Sequence, residues 1–137
     1  VRTFVDSSAF AKRYVDEAGS QTVDDLCAEA SELALGVICI PEIISALNRR
    51  VRERRLSRRQ YAQAKERLSE DVRDVIIINL TPSVIAACTA ILEAGPVRAM
   101  DALHVACARE WGAQLFVSSD KRQITAARKA GLRTKSV

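Results

Sequence analysis

Short apolar runs alternate along the chain with stretches whose apolar residues recur every three or four positions, a pattern that predicts strands separated by helices. Thr3-Phe4-Val5 is β-prone and ends at Asp6, after which Ser7-Ser8 can cap a helix carrying Ala9, Phe10, Tyr14 and Val15 inward. Gly19-Ser20 breaks that helix, and Ser20 can cap the next, with Val23, Leu26, Cys27 and Ala30 on one face. Residues 36–40 form a continuous apolar run, read as a parallel strand covered on both sides. Pro41-Glu42 then opens a helix with Ile43, Ile44 and Leu47 inward. Leu56-Ser57 marks a break before a helix carrying Tyr61, Ala64, Leu68 and Val72. Residues 75–80 read as another strand, and Thr81-Pro82 starts a helix that stops at Gly95-Pro96. A helix over 97–111, a stop at Gly112 and a strand over 115–117 follow. Ser118-Ser119-Asp120 caps a final helix ending near Gly131, and residues 132–137 can add an edge strand. These elements predict a single α/β domain over residues 1–137, a three-layer α/β/α sandwich around a central parallel sheet.

Composition narrows the class. The 48% apolar and 28% charged fractions are ordinary for a globular protein. No apolar run approaches the roughly 20 residues that cross a bilayer, and no signal-peptide pattern is present, so a cytoplasmic protein without a membrane partner is expected. The first residue is Val, so a processed start is expected. Cys27, Cys39, Cys88 and Cys107 show no C-x-x-C spacing and sit among apolar neighbours, which favours buried reduced thiols over a zinc site. The net charge of +4 is unevenly placed, because residues 49–73 hold ten Lys or Arg against four Asp or Glu. Such a segment, with acids gathered elsewhere, fits a polyanion approaching an acidic centre, although a solvated helical face has the same composition.

The acids are where the chemistry is sought. Asp6 ends the first strand, Glu42 begins the helix after the second, and Asp120 begins the helix after the fourth. Asp101 lies in the first turns of its own helix. Singly, each is accounted for by a cap or a helix dipole. Together they are expected at the carboxyl edge of a parallel sheet, where ligands bind. Two unit charges 4 Å apart repel by about 4 kcal/mol at an effective dielectric of 20, so clustered acids take up protons or hold a cation. An all-oxygen donor set suits Mg²⁺ or Mn²⁺, and such an ion beside a basic segment suits phosphodiester hydrolysis. Ser8 and Ser118 are candidates for orienting a carboxylate or for simple capping. His104, one turn after Asp101, reads as a packing residue near the site more readily than as a general base. Arg49, Arg50, Arg54 and Arg55 are the candidate contacts for that nucleic-acid polyanion; the same segment can instead face a protein partner or simply be solvated.

Taken together, FVDSSAFAKRYVDEAGS (4–20), PEIISALNRR (41–50), RAMDALHVACA (98–108) and FVSSDKRQITAARKAGL (116–132) resemble the PIN-domain ribonucleases, and within them the VapC-like toxins of toxin–antitoxin pairs. The resemblance places Asp6, Glu42, Asp101 and Asp120 on the family's metal-binding acids, and Ser8 and Ser118 on its supporting hydroxyls. It implies Mg²⁺- or Mn²⁺-dependent cleavage of RNA, a homodimer, and inhibition by a cognate VapB-like antitoxin. Gly95-Pro96-Val97 departs from the polar turn more usual before the R-A-x-D motif. Two other readings stay open: a non-catalytic RNA-binding or assembly module of the same fold, and a receiver-like phosphoacceptor domain.

Overall fold

The computed structural model describes all of residues 1–137. Its strands are β1 (Arg2–Val5), β2 (Glu32–Gly36), β3 (Ile76–Ile78), β4 (Leu115–Ser118) and β5 (Thr134–Ser136), and all neighbouring pairs run parallel in the order β3-β2-β1-β4-β5. The helices are α1 (Ser7–Phe10), α2 (Ser20–Glu29), α3 (Cys39–Arg52), α4 (Arg58–Asp71), α5 (Pro82–Ala94), α6 (Ala99–Trp111) and α7 (Lys121–Lys129).

Adjacent strand residues point to opposite faces, so each central strand feeds two cores. Phe4, Ala34 and Phe116 join Val84, Cys88 and Ile91 of α5 and the buried face of α6. Val5, Leu35 and Val117 point the other way, onto α1, α3 and α4 through Phe10, Ile43, Leu47 and Leu68. The rings of Phe4 and Phe116 stack across the β1–β4 pair with centroids 5.8 Å apart. Each such buried ring stabilises the fold by about 1.5–3 kcal/mol through area removed from water. This is the expected α/β/α sandwich, with parallel strands apolar on both sides.

The differences from expectation lie at element ends. The apolar run 36–40 is not a strand: β2 stops at Gly36, and α3 already begins at Cys39. The true strand starts at the polar Glu32, aligned with Arg2 on β1 and ion-paired to it at 3.0 Å. Cys39 and Ile40 are apolar because they close the end of the second core, Ile38 is buried as well, and a short apolar run fits either element. Pro41 therefore falls at the third position of α3 and not at its opening. The strand over 75–80 contracts to Ile76–Ile78. The first helix is capped by Asp6 and not by Ser7 or Ser8, and it tightens into a 3-10 turn at Ala11–Arg13. The N-cap of α2 is Gly19, one residue before Ser20. The stops at Gly95 and Gly112 stand as expected, the latter with φ 78° at the C-cap of α6. No helix is long and apolar enough to cross a membrane.

Candidate active site

β1 connects onward to β2 on one side and its neighbour β4 connects onward to β5 on the other, so the crevice between β1 and β4 is a topological switch point. Asp6 leaves the end of β1 into that crevice, and Ser118 ends β4 beside it. Asp6 is fully buried. Its carboxylate accepts hydrogen bonds from Ser118 Oγ at 2.5 Å, Ser8 Oγ at 2.8 Å and the Ala9 amide at 2.9 Å. Burial pushes the Asp6 carboxyl above the usual range, while Ser118, the charge field of His104, the Ala9 amide and Ser8 pull the other way.

The two hydroxyls also tie the strand ends together. Ser8 Oγ accepts from the Ser119 amide at 3.1 Å, and Ser118 Oγ accepts from the Asp120 amide at 2.9 Å. Each serine thus links the carboxylate of Asp6 to the backbone that leads into α7. Their capping role is not used: Asp6 caps α1, and Asp120 caps α7 by accepting from the Arg122 amide at 2.8 Å.

Glu42, in the first turn of α3, is held differently. Ser7 Oγ donates to its Oε1 at 2.7 Å, and His104 Nε2 lies 2.5 Å from the same oxygen. Burial raises its carboxyl, but the His104 and Ser7 hydrogen bonds outweigh that and leave it below the ordinary value. His104 is fully buried, edge-on to Phe4, so it does pack; it also grips a site acid. With Nε2 toward Glu42, its Nδ1 has no partner.

Asp101 arrives at the same edge despite the Gly95-Pro96 turn. Gln123 Nε2, in the first turn of α7, donates to its Oδ1 at 3.0 Å. Its carboxyl is raised by burial, then by the charge of Asp120, opposed by His104, with a further increase from Glu42. Asp101 therefore lies within the fields of Asp120 and Glu42, while Asp6 and Glu42 both face His104. The four acids are not gathered into a chelate: no three His, Cys, Asp or Glu side chains stand close enough to hold a metal ion. Each carboxylate is instead engaged by a local donor. In donor type and mutual repulsion they suit a hard divalent cation.

The candidate RNA contacts stand apart. Arg49 and Arg50 lie seven and eight residues beyond Glu42 on α3, about 10–12 Å along the axis. Arg50 pairs with Glu17 at 3.3 Å, Arg55 contacts Glu53 at 3.7 Å, and Arg54 occupies the turn before α4 with φ 58°.

The PIN-domain family model matches residues 3–129, which takes in all four acids. The chain belongs to the PIN-domain family. No curated protein sequence matches it. Among solved structures, this PIN domain is similar to VapC20 of Mycobacterium tuberculosis, described as a sarcin-ricin loop cleaving toxin: 21% identity, TM-score 0.68, 90% of this chain and 94% of that one. It is similar to VapBC2 of Rickettsia felis bound to a promoter DNA fragment, at 12% identity and TM-score 0.71 over 98% of each chain. A DNA-bound VapBC of Salmonella typhimurium gives 11% identity and TM-score 0.70 over 99% of this chain and 98% of that one. At such identities the likeness is one of fold.

Two contributors to the candidate site, Ser7 and Gln123, escaped the sequence reading, and a third, His104, was read only as packing beside it. Ser7 looked like a cap and holds Glu42 instead; His104 had a signal in its position one turn after Asp101. Gln123 carries the D-x-x-Q spacing of a capping box from Asp120, yet its amide turns to Asp101.

Proposed function

We propose that this PIN domain is a metal-dependent endoribonuclease of the toxin type, hydrolysing RNA phosphodiester bonds. The observation that carries the reading is the Asp6 carboxylate, buried at the β1–β4 switch point between Ser8 and Ser118, with Asp101 pressed electrostatically by Asp120 and Glu42. Burying an acid costs stability that its hydrogen bonds only partly offset, and such perturbed carboxyls cluster at functional sites. Asp6, Asp101 and Asp120, with Glu42, would hold Mg²⁺ or Mn²⁺ through oxygen alone. Such an ion, when bound, polarises the phosphoryl group and makes an attacking water more acidic. The serines fix the Asp6 carboxylate, and His104 with Ser7 keeps Glu42 ionised and oriented. Water attack on phosphorus with the 3′ oxygen leaving yields a 5′-phosphate and a 3′-hydroxyl.

The fold-level likeness to VapC and VapBC structures supports a VapB-like antitoxin as partner, and the family resemblance supports a homodimer, a single domain and a cytoplasmic setting. Purified protein is expected to cut single-stranded RNA with Mg²⁺ or Mn²⁺ and to stop on EDTA addition; cleavage that continues in EDTA sinks the metal mechanism. The absence of a three-acid chelate favours one other reading, an RNA-binding module without turnover. It predicts binding but no cleavage with either metal.

A further inference from the structure

Beside the acids lies a groove that the chemistry above does not use. It runs between the end of α5, the 95–98 loop and the length of α7, with a volume of about 780 Å³. Its floor is apolar, from Ile91 and the alanines of α5 and α7, and its walls carry Arg98, Arg109, Lys121, Arg122 and Lys129. No carboxylate lines it, and none of the five cations joins an ion pair. Of the four arginines at 49–55 named above, Arg50 and Arg55 are paired with acids of this chain, while Arg49 and Arg54 are not. Downstream of Asp120 every charged side chain is basic: Lys121, Arg122, Arg128, Lys129, Arg133 and Lys135.

We infer that this groove binds the RNA strand next to the scissile phosphate, taking the part for which residues 49–55 were the sequence-level candidates. The inference rests on the ribonuclease reading and adds the path of the substrate. Arg98 precedes Asp101 by three residues, and Lys121 and Arg122 follow Asp120 directly, so the lining at one end of the groove lies within a helical turn of two of the acids, neither of which lines it. Lys121 and Lys129 are eight residues apart on α7, about 12 Å along its axis. Cations spread over that length suit a chain of phosphates, whereas one small anion needs them gathered at a point. The apolar floor suits bases, and the volume falls within the range of nucleotide-sized sites. With no aromatic lining, contact is through phosphate charge and apolar surface without stacking, so sequence preference at these nucleotides is weak.

The test measures binding of a labelled 12-nucleotide single-stranded RNA in EDTA, by fluorescence anisotropy over a salt series. Variants are Arg109→Ala with Lys129→Ala, at the groove end away from the acids, and Arg54→Ala with Arg55→Ala for comparison. Losing two phosphate contacts lowers the log–log salt slope by about 1.4 in the groove variant. It should also weaken low-salt binding about tenfold or more, while the Arg54/Arg55 variant stays near wild type. Arg109→Lys with Lys129→Arg should restore binding, which separates charge from folding. Unchanged affinity and slope in the groove variant overturns the inference, and leaves the nuclease reading standing if metal-dependent cleavage persists. Wild type that neither binds nor cuts RNA overturns both. If a labelled Glu/Leu peptide binds better than RNA and is lost in the groove variant, the groove belongs to an acidic protein partner and the inference fails.

Discussion

The Asp101 carboxyl is raised above its unfolded value by burial and by Asp120, so the folded chain holds that proton more tightly than the unfolded chain. Its favourable contribution is complete below pH 3.8 and is lost as pH climbs through the folded value. At neutral pH, Asp101→Asn removes a strained charge and still accepts from Gln123. The variant is expected to melt about 1–3 °C higher than wild type in EDTA, while RNA cleavage drops about 100-fold or more. A lower Tm or undiminished cleavage would contradict the assignment. The thiols make the opposite case, three of them buried and Cys27 half-buried, with no role in the chemistry. Burial pushes Cys39 up to about 12 and Cys27 and Cys107 up to about 11, and it raises Cys88 as well. Since the thiolate is the reactive form, native protein at pH 8 should react with a disulfide reagent far more slowly than protein unfolded in guanidinium. Rapid labelling of the native chain would show that these thiols are not held as described.

Elements explain what was legible in sequence. Helix ends marked by a single chemical device read correctly, as at Ser57, whose hydroxyl accepts from the Gln60 amide at 3.0 Å while Gln60 returns the bond to the Ser57 amide. Removing that reciprocal cap with Ser57→Ala should cost about 1 kcal/mol in denaturant unfolding and leave RNA cleavage unchanged. Elements whose signal serves two purposes read poorly. The run 36–40 is apolar in part because it closes a core, and that burial hid the passage from strand to helix. Glu32 is polar because it sits at an exposed strand start facing Arg2, which hid the beginning of β2. The acids were visible because four of them, each ordinary alone, stood at element junctions expected to share one edge of the sheet. Their holders were not, because Ser7, His104 and Gln123 each had a sufficient local explanation, and only the packing of α3, α6 and α7 shows whom they touch.

For the whole molecule, the four acids come from four separate elements pinned to one sheet edge, so a ligand shared among them ties those elements together. Mg²⁺ or Mn²⁺ at a hundred times its dissociation constant should stabilise the fold by about 2.7 kcal/mol. Calorimetry is expected to show that gain in wild type and its loss in Asp101→Asn; equal shifts in both would place the ion elsewhere. The pairing of β1 with β4 has a further consequence, in time. Val5 aligns with Val117, and Asp6 is completed by Ser118, 112 positions later. Contacts so distant in sequence form last, and synthesis proceeds from the N-terminus at about 5–20 residues per second. A growing chain on the ribosome therefore carries its first acid for several seconds without the partner strand that orients it. Every product cut short before β4 lacks the crevice as well, so under the proposed ribonuclease reading an incomplete chain is expected to leave its own message uncut until β4 has been made.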